Sequence, residues 1–106
     1  KFLDEQGINV VCAILSLFPE TQLWNRRNLG NYYEVFIDTP LSDLIKRDSK
    51  GIYRKFNNGE LFNVAGMDLD FVRPETPDLV IHNVNSKDEL LSYAKTIADR
   101  IISEDP

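Results

Sequence analysis

The 106 residues contain one cysteine, one histidine and one methionine. Cys12 has no partner for an internal disulfide, and His82 alone cannot build a zinc cage. No apolar run approaches the roughly 20 residues that span a bilayer. The opening residues also lack the charged, apolar and small-residue zones of a signal peptide. Positive charge is short: Lys and Arg total 12 against 17 Asp and Glu, for a net charge of -5. That balance argues against a generic nucleic-acid binder, which needs excess cations to displace phosphate counterions. Neither Gly-x-x-x-x-Gly-Lys-Ser/Thr nor Gly-x-Gly-x-x-Gly occurs, so these residues hold no phosphate-cradling glycine loop. Internal repeats, low-complexity tracts and linkers are missing too.

What is present suits one ordinary domain. Hydrophobic residues make up 42% and charged residues 27%, enough for a packed core. The expectation is a small, acidic, soluble domain of the cytoplasm. The chain starts at Lys1, and its sole methionine is Met67. Lys1 to Gly7 reads as the last turns of a helix stopped by glycine. A domain rarely opens that way, so further residues are expected before Lys1 in the native protein.

Ile8-Asn9-Val10-Val11-Cys12-Ala13-Ile14-Leu15 is almost continuously apolar and β-branched, the pattern of a strand buried on both faces of a parallel sheet. Ser16 to Pro19 reads as the loop at its carboxyl end. Glu20 to Asn28 follows as a short helix, with Leu23 and Trp24 as anchors, punctuated by Gly30 and Asn31. Tyr32 to Asp38 predicts a second strand. Thr39-Pro40 breaks it, and Ser42 is placed to cap a helix through Arg47. A charged, glycine-punctuated excursion runs from Lys50 to Gly66. Asp78 to Asn83 predicts a third strand. Ser86 opens the final helix with Glu89 three residues on, a capping box. Leu90, Leu91, Ala94, Ile97, Ala98 and Ile101 recur there at helical spacing. Strands alternating with helices predict an α/β fold, a parallel sheet with flanking helices. Ligands of such sheets sit beyond the carboxyl ends of the strands. The rule points to Ser16–Pro19, Asp38–Pro40 and the segment after Asn83.

The densest chemistry lies in Arg47-Asp48-Ser49-Lys50-Gly51-Ile52-Tyr53-Arg54-Lys55, where four of nine residues are cationic in an acidic chain. Beside strand ends, such a basic flap suits the clamping of phosphates by Arg forks and Lys point charges. A solvated helix face has the same composition. Ser16 follows the first predicted strand, where its hydroxyl can meet a ligand phosphate or simply bond its own backbone. No histidine lies nearby to activate it, which excludes a hydrolase-like triad. Asp68 and Asp70 suit either a magnesium ion or the solvated face of a loop. His82, in a strand, reads as a packing or hydrogen-bonding residue, and Trp24, Tyr32 and Tyr33 as core or edge aromatics.

Several runs in fixed order carry a resemblance. Tyr33-Glu34-Val35-Phe36-Ile37-Asp38-Thr39-Pro40-Leu41 is followed by Arg47-Asp48-Ser49-Lys50-Gly51-Ile52-Tyr53. Gly59-Glu60-Leu61, Gly66-Met67-Asp68 and Arg73-Pro74-Glu75-Thr76-Pro77-Asp78-Leu79-Val80 complete the set. Together they resemble the adenylylsulfate kinases over essentially the whole chain, in the C-terminal half of that family's domain, with its glycine loop upstream. The resemblance implies a P-loop kinase fold, residues 1–106 being the C-terminal part of a single domain with a flap at about 47–67. It implies ATP-dependent phosphorylation, with magnesium, of the ribose 3′-hydroxyl of adenylylsulfate, the reaction of sulfate assimilation. By position, Ser16 borders the acceptor and matches a family phosphoserine, and Leu15 lines the same pocket. Lys50 contacts the acceptor nucleotide, Arg47 lies near ATP, and Asn63 and Val64 border the acceptor base. Ser16 and Lys50 are the catalytic candidates. Homodimers are usual in the family, and neither nucleic acid nor a membrane is expected as a partner.

Departures from the family pattern bear on the acceptor. Phe62-Asn63-Val64-Ala65-Gly66 stands where Lys-Gly-Phe-Thr-Gly is usual, so Val64 replaces a ring that stacks on adenine. Loss of such a stack costs about 1–3 kcal/mol. Leu17-Phe18-Pro19-Glu20 also departs from the usual Ser-Pro. This loop and the following Trp24-Asn25-Arg26 are similar to a variant group, the cytidine diphosphoramidate kinases of capsule biosynthesis. Adenylylsulfate is the expected acceptor, with cytidine diphosphoramidate the alternative and a non-catalytic nucleotide-binding module the second alternative. A chain without the glycine loop is expected to be inactive by itself.

Overall fold

A computed structural model describes residues 1–83 and 86–104. The elements are α1 (Phe2–Glu5), α2 (Pro19–Asn28), β1 (Val35–Asp38), α3 (Leu41–Arg47), α4 (Ile52–Asn57), β2 (Leu79–His82) and α5 (Lys87–Glu104). The opening helix does stop at glycine: Gly7 has φ +74°, a conformation that costs a residue without Cβ little.

Strands β1 and β2 pair in parallel, in the register Val35 with Leu79, Phe36 with Val80, Ile37 with Ile81 and Asp38 with His82. Parallel neighbours cannot be joined by a tight hairpin. The crossover between them is long and carries α3, α4 and the loop that follows. This agrees with the predicted parallel α/β arrangement, and two of the three predicted strands form where the β-branched and aromatic residues lie.

The third does not. Ile8 to Leu15 lies outside every helix and strand, and its side chains face solvent, Val11 at 85% and Leu15 at 75% exposure. The physical reason is the lack of a ladder partner: a strand forms only when its amides and carbonyls meet another strand, and the described sheet consists of β1 and β2. Ile37, at the centre of β1, is itself 54% exposed. The buried apolar side chains among the described residues are Val64 and Ile81. The Cα radius of gyration is 16.3 Å, against about 13 Å for a close-packed domain of this length. Accessible area is 8321 Å², where a folded monomer of this mass exposes about 6,100 Å².

Local signals set the helix ends. Pro19 occupies the first turn of α2, where its missing N–H costs nothing, with Glu20 beside it and Arg26 and Arg27 in the last turn. Ser42 is a second correction. It lies inside α3, whose N-cap is Pro40, and no side chain caps this helix. In α5 one half of the predicted capping box is present, the Glu89 amide donating to Ser86 Oγ at 3.2 Å. Its apolar stripe is covered only in part: Leu90 and Ile97 are half-buried, whereas Leu91, Ala94, Ala98 and Ile101 are exposed. The excursion after Lys50 is more ordered than its composition suggests, because α4 forms within it.

Candidate functional site

The Asp38 carboxylate and the His82 ring stand at the carboxyl ends of β1 and β2, as register partners in the sheet. His82 Nδ1 lies 3.7 Å from Asp38 Oδ2. Arg73 closes on the same carboxylate with two hydrogen bonds of 3.1 and 2.6 Å, its guanidinium 5.0 Å from the centre of the Phe36 ring. Phe71 stacks on that ring at 5.9 Å. Hydrogen bonding from Arg73 holds the Asp38 carboxyl below the ordinary aspartate range.

Arg47, at the end of α3, reaches the same edge by donating from Nη2 to the Asn83 carbonyl at 3.2 Å. With Lys50 and Tyr53 it lines a hollow of about 270 Å³. Small-molecule clefts measure about 300–1,000 Å³, and this hollow is smaller than that range. Asp48 shapes the turn between the two cations. Its carboxylate oxygens accept the amides of Tyr53 and Arg54 at 3.2 and 3.0 Å, which serves the first turn of α4. Gly51 precedes that turn at φ +68°, where a Cβ would meet the Arg54 guanidinium at 2.9 Å.

The other predicted site residues lie in separate segments. Ser16 is half-buried ahead of α2, and its Oγ accepts from Gln22 Nε2 at 3.3 Å, leaving the hydroxyl proton to donate elsewhere. Leu15 is exposed beside it. Asn63 and Val64 sit in a tight loop after α4, with Val64 packed inward at 7% exposure. No hydrogen bond among the described residues joins the Ser16, Lys50 and Asn63 segments. The position after Asn83 that the strand-end rule singled out lies in part outside the described residues.

Sequence reasoning missed the Asp38–Arg73–His82 group. Asp38 was visible as a strand end, but Arg73 lies 35 positions away, and nothing local signals their meeting. A second long-range contact, Arg26 with Asp78, was also missed. Asp68 was visible and proved a loop-former, accepting the amides of Asn63 and Val64 at 2.8 and 2.6 Å. Those bonds hold its carboxyl below the ordinary range.

The short basic run Arg47–Lys55 lies in the crossover near the carboxyl ends of the parallel strands, where ligands of open α/β sheets bind. The family model for adenylylsulphate kinase matches residues 1–82, and the chain belongs to that family. Its fold class is therefore that of the P-loop kinases. Over 83 residues the chain is 47% identical to a cytidine diphosphoramidate kinase of Campylobacter jejuni, covering 78% of this chain and 48% of that protein. An adenylyl-sulfate kinase of Pseudomonas aeruginosa is 35% identical over 103 residues, 91% of this chain and 53% of its own length. One from Clostridium acetobutylicum is 36% identical over 90 residues, 84% and 45% respectively. The chain thus spans about half the length of the curated relatives it matches. No solved structure matches it. No helix among the described residues is long and apolar enough to cross a membrane.

Proposed function

We propose that the chain is the acceptor-and-lid part of an ATP-dependent nucleotide kinase and that the acceptor is cytidine diphosphoramidate. In this reading residues 1–106 form the C-terminal part of one domain and residues 47–67 its flap. The observation that carries the acceptor is the 47% identity with the Campylobacter enzyme of that name. Val64 agrees with it: an inward-packed valine presents no ring to stack on a purine. Adenylylsulfate is the second reading, supported by the family model and by the two relatives named for it.

The reaction is transfer of the ATP γ-phosphoryl group to a ribose hydroxyl. Arg47 and Lys50 offset the negative charge of the two nucleotides where it gathers, beside the strand ends. Ser16 donates its hydroxyl proton to an acceptor oxygen, while Gln22 holds its Oγ. Leu15 and the Asn63–Val64 loop border the acceptor. Among the described residues no three Asp, Glu, His or Cys side chains are grouped to hold a metal ion. Magnesium in phosphoryl transfer is held largely by the nucleotide phosphates with one or two protein oxygens, so it would arrive with ATP.

The test supplies the full-length product of the gene with ATP, magnesium and each nucleotide in turn, following ADP release. A kcat/KM at least tenfold higher for the cytidine compound supports the proposal, and preference for adenylylsulfate overturns the acceptor. Turnover of neither replaces the kinase by a nucleotide-binding module. The 106-residue chain alone is expected to release no ADP, because no glycine loop within it wraps the β- and γ-phosphates.

A further inference from the structure

Among the described non-glycine residues, Asn63 is the one in the left-handed region, at φ +60°. A side-chain-bearing residue adopts that conformation only when its surroundings hold it there, although asparagine tolerates it better than most. The holding group is the Asp68 carboxylate. Asp68 Oδ2 accepts the Asn63 amide at 2.8 Å, and Oδ1 accepts the Val64 amide at 2.6 Å. Two consecutive amides thus meet the two oxygens of one carboxylate, an arrangement favoured by its charge. The loop closes behind it: the Val64 carbonyl accepts from Met67 and Leu69 at 3.0 and 3.2 Å, and Gly66 donates to the Leu69 carbonyl at 2.9 Å. Val64 then packs inward while Asn63 stays exposed.

We propose that Asp68 is the positioning residue of the acceptor site, fixing the backbone of Asn63 and Val64 so that the loop meets the acceptor already formed. The inference rests on the reading above, in which these two residues border the acceptor. Both Asp68 oxygens are engaged by backbone amides, so its part is to hold the loop. A pre-formed loop saves the ordering cost at the moment of binding. Its loss therefore falls on acceptor affinity and leaves ATP affinity and the transfer step alone.

The experiment compares the full-length product with its Asp68→Asn and Asp68→Ala variants. The asparagine variant keeps one oxygen acceptor, while its NH2 group cannot accept from an amide. Amide NMR is expected to show the Asn63 and Val64 signals shifted and their exchange protection reduced at least tenfold in the alanine variant. One of the two amides should retain protection in the asparagine variant. Steady-state kinetics should show acceptor KM raised about tenfold by Asp68→Ala and less by Asp68→Asn, with ATP KM and kcat within twofold of the parent. Unchanged amides overturn the proposal whatever the acceptor proves to be. Equal rises in both KM values, or no rise in either, overturn it as well. If the parent turns over neither nucleotide, the functional reading falls and, with it, the role assigned to Asp68.

Discussion

Arg73 and Asp38, 35 positions apart, meet in a two-bonded ion pair at the carboxyl end of β1, with distances of 3.1 and 2.6 Å. The pair closes the crossover on itself. Asp38 is where the chain leaves the sheet toward the flap, and Arg73 is on its way back. The outgoing and returning segments of the crossover are therefore tied to one point, and the same guanidinium covers the Phe36 ring.

The pair makes stability depend on pH in a defined sense. Asp38 has its carboxyl lowered below the ordinary value of 3.8 by the hydrogen bond from Arg73. The unfolded chain therefore binds more protons than the folded one between the two values, and stability rises with pH there. The contribution is present above the unfolded value and is lost as pH falls through the folded one. Urea midpoints measured from pH 5 down to pH 2 should fall less steeply for Asp38→Asn than for the parent. Identical slopes would show that the pair does not persist in solution.

Arg26 and Asp78 form the second long-range tie. Arg26 bonds both Asp78 oxygens at 3.3 and 3.0 Å, donates to the Thr76 carbonyl at 2.9 Å, and lies over the Tyr32 ring. Asp78 also accepts the Glu34 amide at 2.7 Å. Burial pushes the Asp78 carboxyl up, but these donors outweigh it and leave it lowered. Asp78→Ala strands both the amide and the guanidinium and is expected to cost about 2 kcal/mol. Arg26→Met keeps the apolar stem and should cost about 1 kcal/mol, as partly exposed ion pairs do. Denaturant unfolding of the two variants checks the order; a larger loss from Arg26→Met would reverse the assignment.

Two caps give local predictions. Ser86→Ala removes the acceptor for the Glu89 amide and should cost about 1 kcal/mol, with a drop in helical circular dichroism. Asp48→Ala removes the acceptor for two amides of α4. It should cost about 1 kcal/mol and loosen the turn that carries Lys50, read as faster exchange at Tyr53 and Arg54. Asp48→Asn, which keeps one oxygen, should recover part of both effects.

Cys12 reports on the segment the sequence assigns to a strand. It is exposed in this structure, so a maleimide should label it in the folded 106-residue chain at the rate of a free cysteine peptide. Labelling a hundredfold slower would show Ile8 to Leu15 paired and covered.

Much of the architecture is local and was legible. Pro19, Gly7 and Ser86 mark helix ends by their own backbone and side-chain chemistry, and β-branched and aromatic runs mark β1 and β2. The flap motifs also placed Arg47 and Lys50 together, since only Asp48 and Ser49 separate them. Helix α4 was hidden because its start depends on Asp48 reaching forward to Tyr53 and Arg54, a contact that composition does not announce.

By itself, the sequence determined the family, four of the five helices, the parallel pairing of two strands and the basic run Arg47–Lys55 within the crossover. These follow from periodicity, capping residues and motifs whose physics acts within a few positions. Tertiary structure alone decided that Asp38 pairs with Arg73 and Arg26 with Asp78, that Val64 packs inward, and that Ile8 to Leu15 stays unpaired. Each depends on which distant backbone or side chain comes within about 3 Å, the reach of a hydrogen bond, and no run of neighbouring residues encodes that distance.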